Sequence, residues 1–186
     1  RNDIALEGIV KTLLITSARR QQGKTLTANY LAEITAASRI KTLLIDANFH
    51  APEVAAWRGI NLNCFLQDAL YDKCGPSQLI HPISDSFDVI AAGPMRSTLN
   101  DMNRLDAFHQ LVDDLKTRYD HIVIDSPALH HSTLAEEMAA AADQILFILA
   151  ADTGFDDGDN RALKRLRERN IPLEFCLNKM QLDFMQ

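Results

Sequence analysis

The chain contains no apolar run approaching the roughly 20 residues needed to span a bilayer, and no secretory leader pattern. It also contains no internal repeat and no low-complexity segment. Positive charge is not in excess: the net charge is -6 at pH 7 over 186 residues. That balance argues against an exposed nucleic-acid footprint. The one dense basic stretch is Arg161, Lys164, Arg165, Arg167 and Arg169, and its spacing predicts a solvated outer helix face. Cysteine is scarce. Cys64, Cys74 and Cys176 stand at no metal-ligand or redox spacing, and an odd number of scattered thiols suits a reducing compartment. The rest of the composition is that of an ordinary globular protein, 47% hydrophobic and 24% charged. The length suits a single domain over residues 1–186 with a core of its own. Because the first residue is Arg1, the chain is expected to be part of a longer protein, with residues 1–10 as a linker.

Short apolar runs alternate with amphipathic ones. Lys11 to Thr16, Lys41 to Asp46, Phe87 to Ala91, His121 to Asp125, Gln144 to Leu149 and Leu173 to Leu177 are predicted strands. Between them, Thr25 to Ala37, Asn103 to Arg118, Leu134 to Ala142 and Asn160 to Arg169 are predicted helices. The first helix is expected to bury Leu26, Tyr30, Leu31, Ile34 and Ala37, and the second Leu105, Phe108, Leu111, Val112 and Leu115. Arg58 to Ser86 is the least regular stretch, with one short helix expected near Phe65 to Leu70 and Trp57 and Phe65 helping to bury it. Strands that are apolar throughout are covered on both faces. The fold class is therefore α/β, a mainly parallel β-sheet flanked by helices on both faces.

The first strand runs into Ser17-Ala18-Arg19-Arg20-Gln21-Gln22-Gly23-Lys24-Thr25, and a helix follows. That context suits a phosphate loop. The helix N-terminus offers N–H groups and a positive dipole end, Gly23 permits close approach, Lys24 reaches the β- and γ-phosphates, and the Thr25 hydroxyl binds Mg²⁺. Ala18 stands where the full pattern has its first glycine. Asp46 and Asp125 each end a predicted strand, at the sheet edge where ligands of open α/β sheets bind. One of them can hold Mg²⁺ through water, and the other can orient or deprotonate a nucleophile. His130-His131 reads as loop, since adjacent side chains diverge and no further ligand accompanies them.

Ile15-Thr16-Ser17-Ala18 with Gly23-Lys24-Thr25, Leu43-Leu44-Ile45-Asp46-Ala47-Asn48 with Pro52, Ala91-Ala92-Gly93-Pro94, and Tyr119-Asp120 with Ile122-Val123-Ile124-Asp125-Ser126-Pro127 form a recognisable set. From about Glu7 to Asn178 the chain resembles the cytoplasmic domain of bacterial tyrosine kinases (BY-kinases) of exopolysaccharide and capsule export. These kinases sit within the P-loop ATPase group that includes the partitioning and division-site ATPases. The resemblance implies ATP or ADP with Mg²⁺. Gly23, Lys24 and Thr25 would bind the nucleotide; separately, Asn178-Lys179 resembles a base-recognition motif in which Gln181 stands where a guanine reader has aspartate, so Asn178 is expected at an adenine base. Thr25, Asp46 and Asp125 would bind the metal, and Lys24, Asp46 and Asp125 would be catalytic. It also implies a membrane-embedded polysaccharide co-polymerase as partner, or a transmembrane segment outside this chain. A cytoplasmic place at the inner face of the plasma membrane and a homo-oligomer belong to the same reading; nucleic acid does not.

Several positions depart from the family pattern. Arg20 and Gln21 replace proline and glycine, Asn48 replaces a second aspartate, His50 stands for a basic residue, and Ala128 and Leu134 replace proline and aspartate. Only Tyr30, Tyr71 and Tyr119 are present, with no tyrosine-rich tail, and two of them lie in core-like contexts. An amide at Asn48 is a poorer metal ligand than a carboxylate and cannot act as a base. The resemblance thus implies nucleotide binding with impaired phosphotransfer. The alternatives are a regulatory binding module without catalysis and a positioning ATPase. Arg19 lies near where partitioning ATPases carry a lysine that reaches the partner subunit's nucleotide; a solvent-facing arginine is the other reading.

Overall fold

The structure is a computed structural model that describes residues 10–71, 73–93, 102–130 and 133–180, without the side chains of residues 102 and 103. Residues 1–9 of the expected linker, Pro94 and His131 lie outside the described residues.

Seven strands form one sheet in the order β3-β4-β2-β5-β1-β6-β7. They are β1 (Thr12–Ser17), β2 (Thr42–Asp46), β3 (His81–Ser84), β4 (Phe87–Ile90), β5 (His121–Asp125), β6 (Gln144–Ala150) and β7 (Leu173–Asn178). Every pairing is parallel except that of β3 with β4. β1, β2 and β5 are buried along their whole length, as their unbroken apolar sequences require. The mainly parallel architecture inferred from the sequence is borne out. The short antiparallel strand β3 is an addition that lies inside the irregular stretch. Being exposed over most of its length, it carries no run of apolar residues from which to recognise it.

Helix α1 (Lys24–Ala37) packs on one face of the sheet with Ile15, Leu44, Val123 and Ile148. The face it buries is not the expected one. Ala28, Ala32 and Ala36 form the buried seam, while Leu26, Tyr30 and Ile34 are 42%, 54% and 65% exposed. Lys24 lies on the same i, i+4 row as the alanines, so turning Lys24 toward the loop turns the small residues inward and the large ones outward. Tyr30 packs edge-on to Trp57, and both remain half in solvent. The expected burial of Trp57 is therefore corrected too.

On the other face, α5 (Met102–Lys116) buries Phe108, Val112 and Leu115, as its periodicity predicts. Helices α6 (Leu134–Met138), extended by a 3-10 turn at Ala139–Ala141, and α7 (Asp157–Arg167) complete that layer. The basic stretch on α7 is an outer face, as expected; Arg165 and the following Arg169 pair with Glu136 and Glu137. Three short helices, α2 (Val54–Arg58), α3 (Leu66–Ala69) and α4 (Pro76–Leu79), occupy the connection between β2 and β3. Cys64 and Cys74 flank α3 and are joined as a disulfide, with Cα atoms 6.3 Å apart; Cys176 is free. That pairing corrects the reading of three scattered, unpaired thiols. No described helix is long and apolar enough to cross a membrane.

Candidate nucleotide site

β1 ends at Ser17, and the chain then passes over the sheet edge into α1. The loop is held from several sides. Leu129 and His130 donate their backbone N–H groups to the carbonyls of Ser17 and Ala18 at 3.0 and 2.9 Å. Ala18, the replacement for the first glycine, is buried in the larger core cluster, so its methyl group is used in packing. Gln21 adopts a left-handed conformation at φ 60°, which glycine takes without strain and glutamine does not. The loop thus keeps the backbone path that its missing glycines would favour.

Gly23 has φ +95° and is the one residue type that fits. A Cβ there would stand 2.0 Å from the Asn178 amide nitrogen. Asn178, at the end of β7, donates that amide to the Gln22 carbonyl at 3.1 Å. It therefore braces the phosphate loop, a role the sequence did not suggest. Arg19 is not simply a solvent-facing arginine. It makes a two-pronged contact with the buried Asp159 carboxylate at 3.1 and 2.8 Å and reaches Asp156 at 2.6 Å. Asp156 is also the N-cap of α7.

Lys24 and Thr25 open α1 and line a cleft of about 520 Å³ together with Arg20, Gln21, Asn48, His50, Glu53 and Pro127. Beneath it, β2 and β5 run in register, with Asp46 beside Asp125. Both carboxylates are wholly buried. The Thr25 hydroxyl donates to Asp125 Oδ2 at 2.6 Å, and Asp125 Oδ1 is buried with no hydrogen-bond partner. Burial pushes the Asp125 carboxyl up to about 6 despite the opposing pull of the Thr25 hydroxyl and Lys24. Burial, and then repulsion from Asp125, raises Asp46 well above the ordinary carboxylate range. Burial lowers Lys24, with Asp125 and Glu53 opposing that shift.

Asp46 has a second task. Its two oxygens accept the backbone N–H groups of Asn48 at 3.0 Å and Val54 at 3.2 Å. It therefore anchors the loop after β2 at both ends and caps the first turn of α2. Asn48 donates its side-chain amide to the Ala51 carbonyl at 3.0 Å, closing that loop on itself. His130 lies 3.5 Å from Asp159, away from any metal-like cluster; among the described residues no three His, Cys, Asp or Glu side chains converge as a metal site.

These residues fit a nucleotide with a magnesium ion. An orphaned carboxylate oxygen beside a threonine hydroxyl offers two hard oxygen ligands, and Mg²⁺ in such sites takes its remaining ligands from water and phosphates. Lys24 and the N-terminus of α1 supply the positive counterpart for phosphates. Glu53 is the cleft residue the sequence reading missed, because no phosphate-loop pattern includes a carboxylate at that spacing.

No protein-family model matches the chain. Curated relatives do. The chain is 26% identical over 179 residues to the putative tyrosine-protein kinase CapB of Staphylococcus aureus, across 95% of this chain and 78% of that protein. It is 25% identical to the tyrosine-protein kinase YwqD of Bacillus subtilis, across 76% of this chain and 60% of that one. To the tyrosine-protein kinase etk of Escherichia coli it is 30% identical, across 63% of this chain but only 16% of that protein. Among solved structures, the chimerical protein CapA2B2 superposes with a TM-score of 0.84 at 23% identity, covering 95% of this chain and 79% of the other. The kinase domain of the E. coli tyrosine kinase ETK gives 0.84 at 22%, covering 95% and 71%. The septum site-determining protein MinD of Pyrococcus horikoshii, complexed with Mg-ADP, gives 0.75 at 17%, covering 90% and 69%. The resemblance to bacterial tyrosine kinases is thus borne out, and the fold is that of the P-loop nucleoside triphosphatases.

Proposed function

We propose that the chain is a nucleotide-binding domain of the bacterial tyrosine kinase type, binding ATP and ADP with Mg²⁺ and serving exopolysaccharide or capsule export. The observation that carries this reading is the convergence of Lys24, Thr25 and Asp125 under one cleft, with Asp125 Oδ1 left without a partner. Lys24 and the α1 N-terminus would hold the phosphates, while Thr25 and Asp125 would hold the ion directly or through water. The ion's chemistry would be to neutralise charge that builds on the phosphates during transfer. Asp46 would contribute its charge from below and keep the rim of the cleft in place. Asn178 would meet adenine only with the part of its amide not already spent on the loop.

A kinase of this kind needs a tyrosyl acceptor. Tyr119 is buried and donates its hydroxyl to Asp88 at 2.6 Å, so it cannot serve. Tyr30 is exposed, contrary to the core placement its helix suggested. No tyrosine cluster accompanies it, so an acceptor of that kind would lie on a partner or on sequence outside this chain. The setting that fits is the cytoplasmic face of the plasma membrane, beside a membrane-embedded polysaccharide co-polymerase or the chain's own transmembrane segment, with homo-oligomers formed there.

The deciding experiment is calorimetric titration with ATP·Mg²⁺ and ADP·Mg²⁺, followed by incubation with labelled ATP and a tyrosine peptide. Lys24→Ala should lose about 1.5–3 kcal/mol of binding, roughly 10- to 150-fold in affinity, as expected for a charge-assisted phosphate contact. Equal affinities for wild type and variant would remove the assignment.

A further inference from the structure

We propose that Glu53 is the general base of the site, the carboxylate that takes the proton from the hydroxyl attacking the γ-phosphate. This rests on the kinase-type reading above. Three observations lead to it. The first is that the expected base is occupied. Asp46 is fully buried, and each of its oxygens accepts a backbone N–H, one from Asn48 and one from Val54. Asp46 lies under the cleft and does not line it.

The second is that Asn48 cannot substitute. An amide nitrogen accepts no proton at neutral pH, and this one donates to the Ala51 carbonyl at 3.0 Å. Its contribution is to shape the loop that ends at Glu53.

The third concerns Glu53 itself. It occupies the N-cap of α2, a position where the short Ser, Thr, Asp and Asn side chains are the ones that cap. It makes no capping bond, and the Val54 N–H is bonded from below by Asp46 instead, which leaves the Glu53 carboxylate unspent on the helix. The Glu53 side chain lines the cleft with Lys24, Thr25 and Asn48, and its charge acts on both Lys24 and Asp125. A fully buried carboxylate such as Asp46, with both oxygens already bonded, is less able to turn toward a substrate.

The step balances with ATP·Mg²⁺ and water as reactants. The water oxygen bonds to the γ-phosphorus, the bond from that phosphorus to the β–γ bridging oxygen breaks, and its electron pair leaves on ADP. The proton of the attacking water passes to a Glu53 carboxylate oxygen. A tyrosyl hydroxyl in place of water gives transfer by the same sequence.

The test uses the whole chain, with ADP·Mg²⁺ plus aluminium fluoride as a mimic of the transferring phosphoryl group. Wild type should bind this complex far more tightly than ADP·Mg²⁺ alone, because the mimic holds an in-line water that the base accepts. Glu53→Gln should bind ADP·Mg²⁺ as wild type does and lose about 100-fold of any ATP turnover, together with most of the gain from aluminium fluoride. Glu53→Asp should recover part of both. Glu53 is exposed and caps nothing, so its variants should melt with wild type; Asp46→Asn should melt lower. Should ADP·Mg²⁺ fail to bind wild type, the nucleotide reading itself falls. Should it bind while Glu53→Gln keeps the full aluminium fluoride gain, or while wild type shows no such gain, the assignment of Glu53 is overturned.

Discussion

Replacing Asp125 by Asn should make the stability of the nucleotide-free protein less sensitive to pH. In the fold burial pushes this carboxyl up to about 6, against an ordinary value of 3.8. The folded chain therefore holds the proton more tightly than the unfolded chain does. The associated stability is fully present below pH 3.8 and is lost as pH rises through about 6. A difference of about two pH units corresponds to about 3 kcal/mol. Asp46 is displaced in the same direction and steepens the same decline. At pH 5 about half of the Asp125 contribution, roughly 1.4 kcal/mol, is still present, and at pH 8 none of it is, so for a chain of this length Asp125 alone lowers the melting temperature by about 3–6 °C from pH 5 to pH 8. An asparagine keeps an acceptor for the Thr25 hydroxyl but carries no charge to bury. Thermal melts from pH 5 to 8, in chelator, without nucleotide and at constant ionic strength, should show a sloping wild type and a flatter variant. Magnesium nucleotide should then raise the wild type most at the alkaline end, where the carboxylate is ionised, and do little for Asp125→Asn. Two parallel pH profiles would refute the assignment of the slope to this buried carboxylate.

Two further outcomes follow from the loop and the disulfide. Gly23→Ala places a methyl group against the Asn178 amide and asks alanine to hold φ +95°. Strain of that kind costs about 1–2 kcal/mol. Denaturant melts should record that loss and titration a weaker grip on ADP·Mg²⁺; a variant matching wild type in both would show that the loop readily shifts. Cys64→Ser opens the link across α3 and should cost about 3 kcal/mol by the loop-closure account. Reductant should lower wild type to the same denaturant midpoint and leave the variant where it is; an unmoved wild type would show that the link adds nothing.

Six of the seven strands were legible because each reads as a short, largely apolar run, and the two strand-end aspartates fell where a parallel sheet brings them together. What could not be read was orientation about an axis. In α1, both the Leu26–Tyr30–Ile34 row and the Ala28–Ala32–Ala36 row satisfy a helical period. Only the need to aim Lys24 into the loop and the close approach allowed by alanine select the second. The role of Asn48 was half legible: its loss of charge was plain, its bond to Ala51 was not. Glu53 was invisible for a related reason. An exposed glutamate before a five-residue helix looks like an ordinary surface residue, and only the structure shows that it lines the cleft while Asp46 bonds the first turn of the helix.

The phosphate loop is short in sequence, yet the groups that hold it arrive late. Thr25 meets Asp125 across 100 residues, Arg19 meets Asp159 across 140, and the Gln22 carbonyl meets Asn178 across 156. Contacts so distant along the chain form only after the intervening elements have docked. The loop would therefore be among the last parts to assume its shape, after β7 has joined the edge of the sheet. During synthesis the first quarter of this stretch of chain would emerge with its lysine in place and no affinity for nucleotide. Binding would begin only when nearly all of the described chain had been made, so ligand capture reports on completed folding.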